Sequence, residues 1–216
     1  ELGLLTGTLG KIARDIALLM ASEVGEVFEP GGPGRGGSST MPQKRNPVIS
    51  ATVIAAATRA PGLVATLLAA MSQEHERGVG LWQAEWESLP ALVCLAHGAL
   101  SHMVTLIEGL EIDRARMRDN IDITEGLVLA EAVMMALAPH LGRNEAHARL
   151  EAACHRAIGE HRHLKEIVAE DTVITGILTS ADLERLFDPR DYLGMTKSMI
   201  EKVLATYHRS REEDAP

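Results

Sequence analysis

Apolar residues recur at helical spacing through most of the chain. Between residues 2 and 28 they are spaced by three, four and seven positions, as on one face of a packed helix. Residues 48–76 are apolar on nearly every side, which predicts a largely buried helix with a kink at Pro61. A third apolar helix is predicted over about 90–109. Together the three segments predict an extended helical bundle.

Beyond residue 113 the pattern changes to shorter amphipathic segments. Helices are predicted at 113–119, 126–141, 144–162, 163–170, 181–187 and 195–210. We therefore expect an all-α protein, with bundle helices over 1–111 and a small helical domain over 112–216. The chain begins within a helical pattern, without a methionine or a cap, so we expect it to be part of a longer protein.

Composition and charge narrow the possible partners. Only 3% of the residues are aromatic, which favours closely packed helices over β-sandwiches. A net charge of −9 without a basic cluster argues against nucleic acid as a partner. We expect no membrane partner, because no apolar run looks long and uncharged enough to span a bilayer. Without a signal peptide a cytoplasmic location is expected, with Cys94 and Cys154 as buried thiols.

Residues 30–47 interrupt the helices with a loop rich in glycine and proline. A serine becomes a useful base only where a cation and backbone N–H groups stabilise its alkoxide. Ser38 and Ser39 follow a glycine pair, Lys44 supplies a positive charge, and the next helix directs its first N–H groups at the loop. With Asn46, these groups would suit a carboxylate whose charge rises during a reaction. On composition alone, a solvated loop with incidental polar residues is equally consistent.

The stretch GSSTMPQKRNP, residues 37–47, resembles the signature loop of the fumarase/aspartase superfamily, G-S-S-x-M-P-x-K-x-N-P. In that superfamily the loop removes a proton from the carbon next to a carboxylate and stabilises the resulting aci-carboxylate. The resemblance implies roles for five residues: the base at Ser38, with Ser39 beside it, anion stabilisers at Lys44 and Asn46, and a substrate contact at Met41.

The same resemblance implies an architecture. Such subunits have an N-terminal domain, a central bundle of five long helices that forms a homotetramer core, and a small C-terminal helical domain. Their active sites combine segments from three subunits. This chain would hold about three bundle helices and the last domain, while the N-terminal domain, with the general acid, would be absent from it.

Two further segments resemble a narrower family. Residues 75–90, HERGVGLWQAEWESLP, and residues 125–154 are similar to bacterial 3-carboxy-cis,cis-muconate cycloisomerases. That family forms 4-carboxymuconolactone by adding a substrate carboxylate across a double bond, in protocatechuate degradation. The resemblance implies a small polycarboxylate substrate, an aci-carboxylate intermediate and no cofactor.

Three alternatives remain open. Adenylosuccinate lyases resemble E-R-D-x-S-x-S-S-x-x-R at this place, and Glu76 and Arg77 match its start. However, residues 80–83 replace the serine-bearing stretch, and Trp86 stands at the phosphate-binding arginine. Argininosuccinate lyase shares the loop but lacks WQAEW. A truncated, non-catalytic helical oligomerisation module is the alternative from a different class.

The segment after the second long helix adds candidate substrate contacts. Arg77 is expected either to bind a substrate carboxylate or to pair with Glu85, and the sequence favours neither. Trp82 and Trp86, one helical turn apart, either pack in a core or wall a flat substrate. We predict one pocket in which Arg77, Lys44 and the helix N-terminus bind carboxylates while the indoles exclude water.

Nine histidines raise the question of a metal site. His155, His161 and His163 lie close together in the sequence. Their spacing contains neither a one-turn ligand pair nor carboxylates placed as in a known site, so we predict no metal.

Overall fold

The computed structural model describes residues 1–32, 36–37, 40–41 and 44–213, and it divides into two units, Glu1–Arg118 and Asp119–Pro216. The described residues are mainly helical, which confirms the all-α class. Their ten α-helices are α1 (Leu2–Leu19), α2 (Val48–Ala69), α3 (Leu81–Glu108), α4 (Arg114–Asp122), α5 (Ala130–Leu141), α6 (Arg143–Glu160), α7 (Leu164–Glu170), α8 (Thr172–Thr175), α9 (Ser180–Leu186) and α10 (Thr196–Glu213). Two 3-10 turns, Leu127–Leu129 and Pro189–Tyr192, complete the helical elements described.

In the first unit α1, α2 and α3 pack against one another around one apolar core. Small residues allow α1 and α2 to approach closely. Gly3 and Gly10 lie seven residues apart on α1, and they face Val64 and Ala57, which lie seven apart on α2. This pairing makes the two helices antiparallel.

A short antiparallel ribbon closes the first unit beside the loop. β1 (Val27–Phe28) pairs with β2 (Glu111–Ile112), and Phe28 lies opposite Glu111. α1 stops at Leu19 instead of reaching residue 28, and the chain then turns through residues 21–25, where Gly25 has a φ of 64°. That turn brings the end of α1 and the end of α3 to the same edge of the unit.

The predicted start of the third helix is wrong. α3 begins at Leu81, and Pro90 lies inside it. Proline removes one ladder hydrogen bond, and good helix formers such as Gln83, Ala84 and Glu85 precede it, so the helix extends to its N-terminal side. α2 likewise passes through Pro61 and ends at Ala69.

The expectation that no apolar run could span a bilayer is also wrong. By length and composition alone, α2 and α3 are both apolar enough to cross a membrane, and only 22% and 28% of their apolar windows are buried within this chain. The reason is composition: Arg59 is the only charged residue of α2. Residues 48–76 are accordingly less buried than predicted, and Leu68 is 62% exposed. Cys94 on α3 is exposed as well, contrary to the expected buried thiol.

The second unit has its own apolar core. Leu137, Leu164, Ile167 and Ile174 are almost fully buried at its centre. Gly142 separates α5 from α6 at a φ of 78°, which suits a residue without a Cβ atom. By contrast, residues 196–212 of α10 are exposed throughout.

Candidate active site

The signature loop leads directly into the N-terminus of α2. Its last described residues, Lys44 to Pro47, precede the first helical residue, Val48. Ser38 and Ser39 lie outside the described residues, so their roles stay predictions. The residues around them nevertheless define how this end of the loop is held.

The N-terminus of α2 is occupied by a protein carboxylate. Glu29 is only 4% exposed, and its side chain accepts the N–H groups of Ile49 at 2.9 Å and Ser50 at 2.6 Å. A carboxylate at this position also interacts favourably with the helix dipole. The N–H groups of Val48 and Ala51 donate to backbone carbonyls. The predicted use of this helix end to bind a substrate carboxylate is therefore wrong.

Arg45, between the two predicted anion stabilisers, is fixed by several contacts. Its guanidinium donates two parallel hydrogen bonds of 2.8 Å to the Glu111 carboxylate and a third to the backbone carbonyl of Glu29. It also lies 4.8 Å from the centre of the Phe28 ring. We call these four groups, Arg45, Glu111, the Glu29 carbonyl and Phe28, the Arg45 anchor.

The Arg45 anchor changes the acidity of its carboxylate. The hydrogen bond from Arg45 is the main reason why the pKa of Glu111 is lowered, and Coulombic attraction adds to it. The same hydrogen bond raises the pKa of Arg45. Both groups are therefore charged at neutral pH, as a bidentate arginine–carboxylate pair requires.

Asn46 closes the loop on itself. Its side-chain amide donates to the Gly36 carbonyl at 3.0 Å, and its backbone N–H donates to the same oxygen at 2.8 Å. Gly36 has a φ of 66°, and a Cβ atom there would lie 3.0 Å from the Asn46 carbonyl oxygen. One amide N–H of Asn46 thus has a structural role, which leaves the other for a ligand.

A cleft of about 210 Å³ lies against this part of the loop. Its lining residues include Gly36, Gly37, Lys44, Arg45 and Asn46. Lys44 is exposed, and its backbone N–H donates to the Met41 carbonyl at 3.0 Å, while the Met41 side chain is 46% exposed. The cleft therefore brings together Lys44 and Asn46 of the predicted site, with Met41 joined to Lys44 through the backbone.

Arg77, Trp82 and Trp86 lie at the opposite end of the unit. They follow the C-terminal end of α2, whereas the loop precedes its N-terminal end, and a helix of 22 residues is roughly 33 Å long. Within one chain Arg77 and Lys44 therefore do not line the same pocket, and the pocket that they share stays a prediction for an assembly of several chains. Arg77 is exposed and makes no ion pair with a described residue. Trp82 and Trp86 are 59% and 57% exposed and meet edge to face at 5.4 Å.

Comparison with known proteins connects both units to one group of enzymes. Residues 1–62 match a family model described as Lyase, and residues 126–203 match one described as Adenylosuccinate lyase C-terminus. The chain is 56% identical to 3-carboxy-cis,cis-muconate cycloisomerase of Pseudomonas aeruginosa, over 100% of this chain and 47% of that protein. The chain belongs to the fumarase/aspartase superfamily.

Two further relatives are similar over most of the chain. The cycloisomerase of Pseudomonas putida is 57% identical over 85% of this chain and 43% of its own length. The crystal structure of 3-carboxy-cis,cis-muconate lactonizing enzyme from Pseudomonas putida has a TM-score of 0.86 and 51% identity, over 96% of this chain and 46% of that one. The chain thus spans about half the length of the curated relatives it matches.

Two residues that hold the site were missed from the sequence. Glu29 lies between the helical pattern over 2–28 and the loop over 30–47, and Arg45 occupies a variable position of the signature pattern. The position of Arg45 between Lys44 and Asn46 was a usable signal, because adjacent side chains of an extended segment point to opposite sides. Glu29 carried no comparable signal, since its burial depends on tertiary packing.

Proposed function

We propose that this chain forms part of a cycloisomerase that converts 3-carboxy-cis,cis-muconate to 4-carboxymuconolactone. The observation that carries the proposal is the placement of Lys44 and Asn46 at one cleft, in a chain 56% identical to a cycloisomerase. Lys44 supplies positive charge where an aci-carboxylate would form. Ser38, with Ser39 as its substitute, is the proposed proton-transfer group.

The proposed reaction needs one bond formation and one proton transfer. An oxygen of a substrate carboxylate adds to a carbon of the double bond, and the π electrons move into the adjacent carboxylate to give the aci-carboxylate. The hydroxyl of Ser38 then delivers a proton to the neighbouring carbon, which restores the carboxylate of the lactone product, and the Ser38 alkoxide regains a proton from solvent. In the reverse direction Ser38 is the base that removes this proton.

The residues at the far end of α2 favour a polycarboxylate over a nucleotide. Gly80, Leu81, Trp82 and Gln83 offer no serine hydroxyls to a phosphate, and Trp86 replaces the arginine. A site that leaves a phosphate without hydrogen bonds rejects it strongly. Adenylosuccinate lyase is therefore the less favoured activity, and a non-catalytic module is disfavoured by the intact loop.

We further propose that the site is completed by association. Arg77, Trp82 and Trp86 lie too far from Lys44 to act on the same substrate from one chain, so a second copy would supply them. Leu68, Val104 and Ile107 expose apolar surface on α2 and α3 that a homotetramer would bury. We also propose that the bundle part ends at residue 111 and that the small helical domain begins at residue 112. The proposed enzyme is cytoplasmic.

The test is a substrate comparison with the intact protein. Loss of the ultraviolet absorbance of the conjugated diene should accompany conversion of 3-carboxy-cis,cis-muconate, and adenylosuccinate should remain uncleaved under the same conditions. Efficient cleavage of adenylosuccinate without lactonisation would favour adenylosuccinate lyase activity over the proposed cycloisomerase activity. Failure to convert either compound would favour the non-catalytic module.

A further inference from the structure

We propose that Arg45 is a positioning residue of this active site: the Arg45 anchor holds Lys44 and Asn46 at the cleft, and Arg45 itself binds no substrate. The inference rests on the proposed function for the roles of Lys44 and Asn46. An arginine in an anion-binding loop would ordinarily be read as a substrate-binding cation.

The hydrogen bonds of Arg45 favour positioning. Three hydrogen bonds from its guanidinium are made within the protein, two to Glu111 and one to the Glu29 carbonyl. The charge of Arg45 is balanced by Glu111, and one face of the guanidinium is near Phe28. A substrate carboxylate would have to replace an existing bidentate partner to bind this residue.

The location of the Arg45 anchor explains what it positions. Glu111 and Phe28 are paired neighbours in the β1–β2 ribbon, and Glu29 directly follows Phe28. The carboxylate of Glu29 holds the first turn of α2, while its carbonyl holds Arg45. The residues on both sides of Arg45 are thus tied to the ribbon and to the helix that follows them.

Displacement of Lys44 would affect the transition state more than substrate binding. A misplacement of about 1 Å at a catalytic group can lower turnover by about 100-fold. Arg45→Met should therefore lower kcat by about 10- to 100-fold and leave KM within about twofold. Arg45→Lys should restore little of this loss, because an ammonium group cannot make the bidentate pair.

The partner variant separates positioning from substrate binding. Glu111→Gln should lower kcat in the same direction, and Arg45→Met/Glu111→Gln should be no worse than Arg45→Met alone. The matched control is Arg156→Met, which removes another arginine paired with exposed carboxylates, in the second unit. It should leave kcat unchanged.

A second measurement does not depend on activity. Amide hydrogen exchange of the intact protein should show faster exchange at the Asn46 N–H in Arg45→Met, while Val53 in the core of α2 stays protected. If wild-type protein does not convert 3-carboxy-cis,cis-muconate, the proposed function fails. The exchange measurement alone then shows whether the Arg45 anchor holds Asn46 in place. Unchanged exchange at Asn46 would overturn it.

The kinetic result that would overturn the proposal is equally specific. If Arg45 binds substrate, Arg45→Met should raise KM by much more than it lowers kcat. Glu111→Gln should then leave KM unchanged or lower it, because it frees the guanidinium. Partial recovery of KM by Arg45→Lys would support that alternative against positioning.

Discussion

Gly10 of α1 faces Ala57 of α2 so closely that a Cβ atom on Gly10 would lie 2.4 Å from the Cβ atom of Ala57. Non-bonded carbon atoms do not approach this closely, so any side chain at residue 10 must move the helices apart. The contact lies within the core that supports the loop end of α2.

Gly10→Ala should destabilise the intact protein by about 1–3 kcal/mol, because it overpacks the contact between α1 and α2. Gly7→Ala is the matched control, since nothing lies within 4 Å of its Cβ position and alanine favours the helix. Chemical denaturation measures both. Addition of Ala57→Gly should restore part of the stability lost in Gly10→Ala, and equal losses for Gly10→Ala and Gly7→Ala would contradict the close approach.

Glu29→Ala should lower the free energy of unfolding by about 2 kcal/mol or more, because two N–H groups at the start of α2 lose their acceptor. Ser50→Ala is the control: it keeps the N–H that Glu29 accepts. It also removes a buried hydroxyl that has no hydrogen-bond partner among the described residues. Ser50→Ala should be neutral or stabilising, and a larger loss for Ser50→Ala than for Glu29→Ala would refute the capping role.

Lys44→Ala should lower turnover strongly, by several kcal/mol of transition-state stabilisation, since it removes the charge that is proposed to face the aci-carboxylate. Ser38→Ala should abolish proton transfer. Lys44→Ala should keep the wild-type melting temperature, because Lys44 is exposed, and we expect the same melting temperature for Ser38→Ala. Steady-state kinetics on the intact protein test this, and wild-type turnover by Ser38→Ala would move the role to Ser39.

Assembly should depend on the exposed apolar face of α3. Leu100 and Val104 lie one turn apart and are 42% and 49% exposed, so Leu100→Glu/Val104→Glu should dissociate a tetramer. Met135→Glu, at a side chain 57% exposed in the second unit, is the control. Sedimentation measures the oligomeric state, and a stable wild-type monomer at micromolar concentration would contradict the proposed homotetramer.

Acid should weaken the second unit through its ion-pair network. Hydrogen bonds from Arg156 and Arg162 lower the pKa of Glu160, and those from Arg162 and Arg156 lower the pKa of Glu170. A carboxyl with a lowered folded-state pKa stabilises the fold above its unfolded pKa of about 4.5 and loses that contribution as the pH falls further. Stability should therefore decline below about pH 4.5.

Arg162→Met should make this acid-side decline shallower, because the folded pKa values of Glu160 and Glu170 then move toward their unfolded values. Arg209→Met, at an exposed arginine of α10, should leave the slope unchanged. Thermal melting from pH 6 to pH 3 measures the effect. Identical slopes for wild type and Arg162→Met would show that the network does not contribute.

The sequence predicted elements better than contacts. Apolar spacing identified the long helices because burial of one face imposes a period of 3.6 residues. It placed the start of α3 at Pro90 instead of Leu81, because proline usually marks a helix start or break, whereas this long helix contains Pro90 in its interior. Residue types suggested candidate site residues, of which Lys44 and Asn46 line one cleft. The separation of Arg77 from Lys44 could not be predicted in the same way, because it follows from the length of α2.

The pairing of Arg45 with Glu111 has a consequence for the charge available to a ligand. Glu111 cancels the charge of Arg45, so Lys44 provides the one uncompensated cation among the described residues that line the cleft. A tricarboxylate brings about three negative charges at neutral pH. In the proposed homotetramer a second copy would supply the remaining cations, and substrate affinity would then be thermodynamically linked to subunit association.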